Sequence, residues 1–258
     1  MDKLVLVTGA SSGIGQALAR RYHEAGWRLA LVARRRDAMQ AWACERALTP
    51  DRYAIYQADV ADSDSIVAAA ETCLTRQGLP DVVIANAGIS VGMDTADRED
   101  LDLMAQIFAT NNIGLAATFH PFLSAMMRRG SGTLVGIASV AGIRGLPGHG
   151  AYCASKAAVI SYCESLRGEL RGSGVRVVTI CPGYVDTPLT RENRYPMPFL
   201  ISAEAFAESA FRAIEAGASY RVIPWQMAVV AKLLRLLPNP LFDRAFARAP
   251  RKRRQRSA

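Results

Sequence analysis

Histidine is scarce in this chain, three in 258 residues, and the five cysteines (Cys44, Cys73, Cys153, Cys163 and Cys181) contain no C-x-x-C pair. None of them groups with His23, His120 or His149 at a metal-ligand spacing, so no metal site is expected. An odd count, with each thiol inside an apolar periodic stretch, argues for reduced core cysteines in a cytoplasmic protein. Long apolar runs are also missing. The longest, Met227 to Leu237, is broken by Lys232 and Arg235 and falls short of the ~20 residues that span a bilayer. Met1-Asp2-Lys3 leads into five strand-like residues without a long apolar core or a small-residue cleavage site, so no signal peptide is expected. Acids are absent from residues 244–258, which hold seven Lys or Arg. Those seven account for nearly all of the net charge of +8, so the basic balance belongs to the tail. They predict salt-dependent, non-specific contact with polyanions and no specific nucleic-acid partner.

What is present is ordinary globular composition: 50% hydrophobic and 21% charged residues, with 20 Gly and 12 Pro. Short, continuously apolar runs read as strands at 4–8, 28–33, 53–58, 82–85, 132–138, 175–181 and 220–223. Helix-length patterns fill 14–25, 36–48, 63–77, 99–128, 151–171 and 202–216. Strands without alternation are buried on both faces, and their alternation with helices predicts an α/β fold. The expected sheet is a doubly wound, parallel, Rossmann-type sheet of about seven strands with helices on both faces. Residues 1–224 are expected to form the catalytic domain, 225–250 an amphipathic helical extension, and 251–258 a basic tail without order. In such a sheet ligands bind beyond the carboxyl ends of the strands, so chemistry should follow strands.

The segment Thr8-Gly9-Ala10-Ser11-Ser12-Gly13-Ile14-Gly15 joins the first strand to the first helix. Glycines there permit positive φ and close backbone approach, and the helix N-terminus offers free N–H groups to a pyrophosphate. Where the next strand ends, at Ala33, an NAD-binding chain would place a carboxylate on the ribose. This chain continues Arg34-Arg35-Arg36. An arginine there pairs with a 2′-phosphate, so NADP(H) is expected in preference to NAD(H), with Arg34 as the reader. A solvated basic loop is the alternative.

Tyr152 and Lys156 lie four residues apart on one helical face, directly after a strand and loop. A free tyrosine, with a pKa near 10, is a poor base at neutrality, and an adjacent cation lowers it. Ser139 follows the strand at 132–138 and can donate to the same carbonyl oxygen. These residues together resemble the short-chain dehydrogenase/reductase family. The resemblance runs from Leu4 to about Ile223 and also includes Asp59-Val60, Asn86-Ala87-Gly88, Asn111 in N-x-x-G, and Pro182-Gly183 followed by Val185 and Thr187.

The resemblance implies roles for these positions. Tyr152 is the general acid/base, Lys156 its pKa-lowering neighbour and ribose ligand, Ser139 the carbonyl polariser, and Asn111 the holder of a relay water, with Asn112 as a rival. Gly9, Ser11, Ser12, Gly13, Ile14 and Gly15 hold the pyrophosphate. Asp59 and Val60 surround the adenine, and Asn86 to Gly88 the ribose. Val185 and Thr187 fix the carboxamide, and Pro182 and Gly183 before them also touch the cofactor. Ser12 departs from NADP-preferring members, many of which carry a basic residue in this loop. The expected activity is hydride transfer between NADP(H) and a carbonyl or secondary alcohol. A non-catalytic NADP(H)-binding sensor is the second reading, disfavoured by the retained Ser139, Tyr152 and Lys156.

Pro188, Pro196, Met197, Pro198, Phe199 and Leu200 suggest an apolar lid and a small, apolar carbonyl or alcohol substrate. Ile143, His149 and Tyr184 are further candidates for the pocket wall, His149 being expected on a surface loop. Family habit implies a homo-oligomer, dimer or tetramer, pairing through 99–128 and 151–171. Within 225–258, Met227, Val230, Leu234 and Leu237 share one helical side, followed by Leu241, Phe242, Ala245 and Phe246. With the basic tail they read as pocket or dimer packing first, and otherwise as peripheral membrane contact.

Overall fold

The computed structural model describes residues 2–247 except Glu192 and Arg194. The basic tail expected at 251–258 lies outside the described residues. Seven strands form one sheet: β1 (Leu4–Thr8), β2 (Arg28–Ala33), β3 (Tyr53–Gln57), β4 (Val82–Ala85), β5 (Gly132–Ile137), β6 (Val175–Pro182) and, last along the edge, β9 (Tyr220–Ile223). The order is β3-β2-β1-β4-β5-β6-β9, and every neighbouring pair is parallel. Two short strands, β7 (Val185–Asp186) and β8 (Ile201–Ser202), pair apart from it.

Every residue of β1 and β4 is buried, as are most residues of β2, β5 and β6, because helices cover both faces. One layer holds α1 (Gly13–Glu24), α2 (Arg36–Glu45) and α8 (Ala203–Glu215) over Val5, Val7, Leu29 and Leu31. The other holds α3 (Ser63–Gln77), α5 (Gly114–Arg129) and α6 (Gly150–Glu169) over Leu4, Leu6, Leu134 and Val177. Alternate residues of a single strand thus feed opposite cores. The order reverses between β1 and β4, and that crevice is where a doubly wound sheet binds ligands. Four of the cysteines are buried and Cys44 is exposed, so the expectation of core thiols fails for Cys44, at the outer end of α2.

The helix expected over 99–128 is divided. α4 (Glu99–Phe108) meets α5 through a π-helical turn at Ala109–Ile113. Gly114 sets this geometry: a Cβ there would come within 2.5 Å of the Val60 carbonyl oxygen. The wider turn lets the chain run close to β3's exit while turning Asn111 inward.

Beyond α7 (Pro188–Arg191), α9 (Trp225–Leu236) and α10 (Asn239–Phe246) complete the described chain. Met227 and Ala231 of α9 are buried, with Val230, Leu234 and Leu237 half-buried. The apolar side of Met227, Val230, Leu234 and Leu237 therefore packs on the chain itself, with Met227 against Gly183 at the end of β6. Phe242 is buried and stacks on Phe246 at 4.5 Å. Among the described residues no helix is long and apolar enough to cross a membrane.

Candidate active site

A groove of about 680 Å³ crosses the carboxyl ends of the strands at the β1/β4 reversal. Of the residues expected at the cofactor, all but Gly15 line it, and Ser139 lines it with them. Gly9 and Gly13 have φ of +68° and +57°, a region that side chains with a Cβ disfavour. Gly15 lies just behind the loop, where a Cβ would meet the Gly9 oxygen at 2.4 Å and Asn86 Nδ2 at 2.6 Å. Thr8 knits the two strand ends together. Its Oγ1 accepts from the backbone amides of Asn86 (3.0 Å) and Ala87 (3.1 Å), and Asn86 Nδ2 donates to the Thr8 carbonyl (2.9 Å). The first turn of α1 has no acid, so its free amides face the groove with their positive end unneutralised.

At one end of the groove, Lys156 is buried and its Nζ donates to the Ile137 carbonyl at 2.8 Å. Burial depresses its pKa to about 8. Tyr152, one turn earlier on α6, has its phenol pushed above the ordinary value by burial, opposed by a hydrogen bond with Ser139. Ser139 caps a short 3₁₀ turn at Val140–Gly142, its Oγ accepting from the Ala141 amide at 3.1 Å. It is held in place before any substrate arrives.

Asn111 stands behind this group, fully buried. Its Oδ1 accepts from the Ile89 amide (2.9 Å), and its Nδ2 donates to the Ile89 carbonyl (3.0 Å) and to Ser155 Oγ (2.9 Å). Both amide hydrogens are thereby committed to joining the π turn, the β4 exit and α6. Asn112 makes a separate contact, Nδ2 to the Ser155 carbonyl at 2.9 Å.

At the opposite end, Arg34 pairs with Asp59 at 3.7 Å and is 70% exposed. Arg35, not Arg34, reaches the glycine loop, donating to Ser11 Oγ and Ser12 Oγ at 3.1 Å each. The groove thus runs from two guanidiniums, past the amides of α1, to a serine, a tyrosine and a lysine. This donor set fits a phosphate-bearing dinucleotide lying along it.

The sequence model of the short chain dehydrogenase family matches residues 3–197. The chain belongs to that family. It is 40% identical over 246 residues to an uncharacterized oxidoreductase of Myxococcus xanthus strain DK1622, covering 95% of this chain and 97% of that one. Among solved structures it is similar to an alcohol dehydrogenase from the archaeon Thermococcus sibiricus complexed with 5-hydroxy-NADP. There the TM-score is 0.77 at 26% identity, covering 86% of this chain and 96% of that one. A short chain dehydrogenase/reductase from Burkholderia phymatum in complex with NAD shares the fold, with TM-score 0.82 at 24% identity and 96% coverage of both chains. This chain is an oxidoreductase of the same family, and a nicotinamide cofactor is the group its site fits.

In this short-chain dehydrogenase three further rings gather near Tyr152. His149 and Tyr195 meet edge to face at 6.0 Å, and Tyr195 meets Tyr184 at 6.3 Å. The Tyr195 phenol is pushed up to about 12 by burial, then by Tyr184 and Tyr152. His149, expected on a surface loop, is buried instead: it immediately precedes α6 and its ring meets that of Tyr195. Tyr195 and Arg35 were not singled out by the sequence. Arg35 lay in view within the arginine triplet, whereas only folding brings Tyr195 to the start of α6. Of the residues expected in a lid, Pro188 lines the groove, while Phe199 and Leu200 are nearly half exposed. Among the described residues no group of three His, Cys, Asp or Glu is placed to hold a metal.

Proposed function

We propose that the chain interconverts a carbonyl compound and its secondary alcohol, with NADP(H) preferred over NAD(H), and that the substrate is largely apolar. The observation that carries this is the joining of Ser139, Tyr152 and Lys156 at one end of a groove whose other end bears Arg34 and Arg35. When bound, the nicotinamide supplies the hydride in reduction and takes it up in oxidation.

The chain's own residues do the rest. Ser139 donates to the substrate oxygen and fixes its direction. Tyr152 gives that oxygen a proton in reduction and removes it in oxidation. The Lys156 ammonium, held by the Ile137 carbonyl, stabilises the phenolate left on Tyr152. Asn111 is a positioning residue here, keeping α6 against the β4 exit with both amide hydrogens taken by Ile89 and Ser155. Arg34 and Arg35 bind the 2′-phosphate, and Asp59 orients Arg34. Tyr184, Tyr195 and His149 form an aromatic wall suited to an apolar substrate body. Ile113 and Tyr162, exposed apolar residues on the helical side, support pairing of copies there.

The test is oxidation of NADPH and of NADH, followed by absorbance, over a panel of ketones, aldehydes, 3-oxoacyl compounds and steroid-like carbonyls, with Tyr152→Phe as control. Turnover favouring NADPH and reduced at least ~100-fold in Tyr152→Phe, with NADPH binding retained, supports the reading. Retained turnover in that variant would sink the mechanism.

A further inference from the structure

The outward side of α9 carries an apolar ridge that the fold does not use. Trp225, Val229, Leu233 and Leu236 recur at helical spacing and are 69%, 49%, 63% and 79% exposed. Lys232 and Arg235 run along one flank of this ridge, and α9 has no acid. Leu241, on α10, adds another exposed apolar side chain at 57%. The opposite side of α9 is committed to the protein through Met227 and Ala231, so the helix is held rigidly with its ridge facing outward.

Charge is distributed in the same way. Residues 225–258 contain nine Lys or Arg and one acid, Asp243, a balance of +8 that equals the net charge of the whole chain. Residues 1–224 are neutral overall. Every unbalanced positive charge therefore belongs to the segment that also presents the free apolar ridge. That combination distinguishes between occupants. A second copy docking on the same ridge by two-fold symmetry would set two such segments against each other, which like-charge repulsion opposes. An anionic bilayer surface satisfies both features, taking the apolar side chains at the acyl boundary and the cations at the headgroups. Trp225, at the first turn, suits that interface, where an amphipathic ring is favoured.

We propose that α9 docks this enzyme on an anionic lipid surface, lying in the membrane plane with Trp225, Val229, Leu233 and Leu236 inserted. The basic residues of 225–258 supply the attraction, and the α9 ridge supplies the insertion. The inference is independent of the substrate and cofactor assigned above.

Trp225 makes the docking directly readable, because the other two tryptophans, Trp27 and Trp42, are buried. The full-length chain is mixed with phosphatidylcholine vesicles with or without phosphatidylglycerol, containing bromine-labelled acyl chains, and followed by sedimentation and tryptophan emission. The expected result is at least tenfold stronger partition to the anionic vesicles, with emission quenched by the bromolipid. Leu233→Glu combined with Leu236→Glu, at two exposed positions, should lower that partition at least tenfold at an unchanged melting temperature. Light scattering of both proteins without lipid completes the test. Absence of vesicle binding overturns the proposal, as does equal, unquenched binding by both proteins, which would mean adsorption through charge alone. A shift to a smaller assembly in the variant, with no lipid binding by the parent, overturns it in favour of a contact between copies.

Discussion

The Lys156 ammonium stands 5.9 Å from the centre of the Tyr152 ring, and its nearest hydrogen-bond partner is the Ile137 carbonyl rather than the phenol. In the proposed mechanism the lysine therefore acts on Tyr152 through its field rather than through a direct bond, and its charge must survive burial to do so. Burial lowers its pKa from 10.5 to about 8. The folded chain loses this proton near pH 8 and the unfolded chain only near 10.5. Stability thus rises with pH across that window, and the buried charge costs most below it. Lys156→Met should raise the unfolding free energy from urea titration at pH 7, by up to about 3 kcal/mol less the lost hydrogen bond. The gain should fade by pH 10. A variant no more stable than the parent at pH 7 counts against a charged, buried Lys156.

Ser139 restrains the rise that burial imposes on the Tyr152 phenol. Ser139→Ala removes that restraint and, in the proposed mechanism, the donor to the substrate oxygen. Turnover in carbonyl reduction should fall by about 100-fold or more, as when a donor to a developing oxyanion is lost. The rising limb of the pH profile of alcohol oxidation should also move to higher pH, because a phenol with a higher pKa deprotonates later. A rate loss with an unmoved limb would leave Ser139 the substrate contact only. The pH profile of oxidation by parent and variant decides this.

Much of this site is legible along single elements, and the part that is not depends on folding. The glycine loop and Tyr-x-x-x-Lys are read directly, because a strand-to-helix turn and one helix face fix their spacing. Asn111 was visible as a residue type, yet the π turn that carries it depends on one residue's shift in hydrogen bonding, which leaves apolar periodicity unchanged. Tyr195 comes to the start of α6 from another segment altogether. On α9, apolar residues occupy both sides, so periodicity could not say whether Met227 or Leu233 faces the protein.

Arg35 bridges to Ser11 and Ser12, whereas Arg34 is drawn to Asp59. Both guanidiniums flank the same end of the groove, so the 2′-phosphate preference should be shared between them. Arg35→Ala should raise the KM for NADPH about tenfold, the order expected when one charge-assisted contact is lost, and change that for NADH by less than threefold. Arg34→Ala should do the same to a similar or smaller extent. If neither variant alters the ratio of NADPH to NADH efficiency, the arginines form a solvated loop and the preference lies elsewhere.

Arg144 joins the loop that leaves Ser139 to the C-terminal helices. Its guanidinium donates to the carbonyls of Leu234 and Leu237, the latter at 2.6 Å, and to Asn239 Oδ1 at 3.0 Å. It also lies 3.9 Å from the centre of the Phe242 ring. One side chain thereby caps the end of α9 and sits on α10, and does so from the segment that links Ser139 to Tyr152. Arg144→Ala leaves those carbonyls without a protein donor and should destabilise the extension by about 1–3 kcal/mol. Amide exchange should quicken through α9 and α10 while β1 and β4 stay protected. Because the same loop carries Ser139, turnover should also fall severalfold, whereas cofactor affinity, set at the far side of the groove, should hold. Unchanged exchange in α9 and α10 would mean that Met227 and Phe242 alone secure the extension.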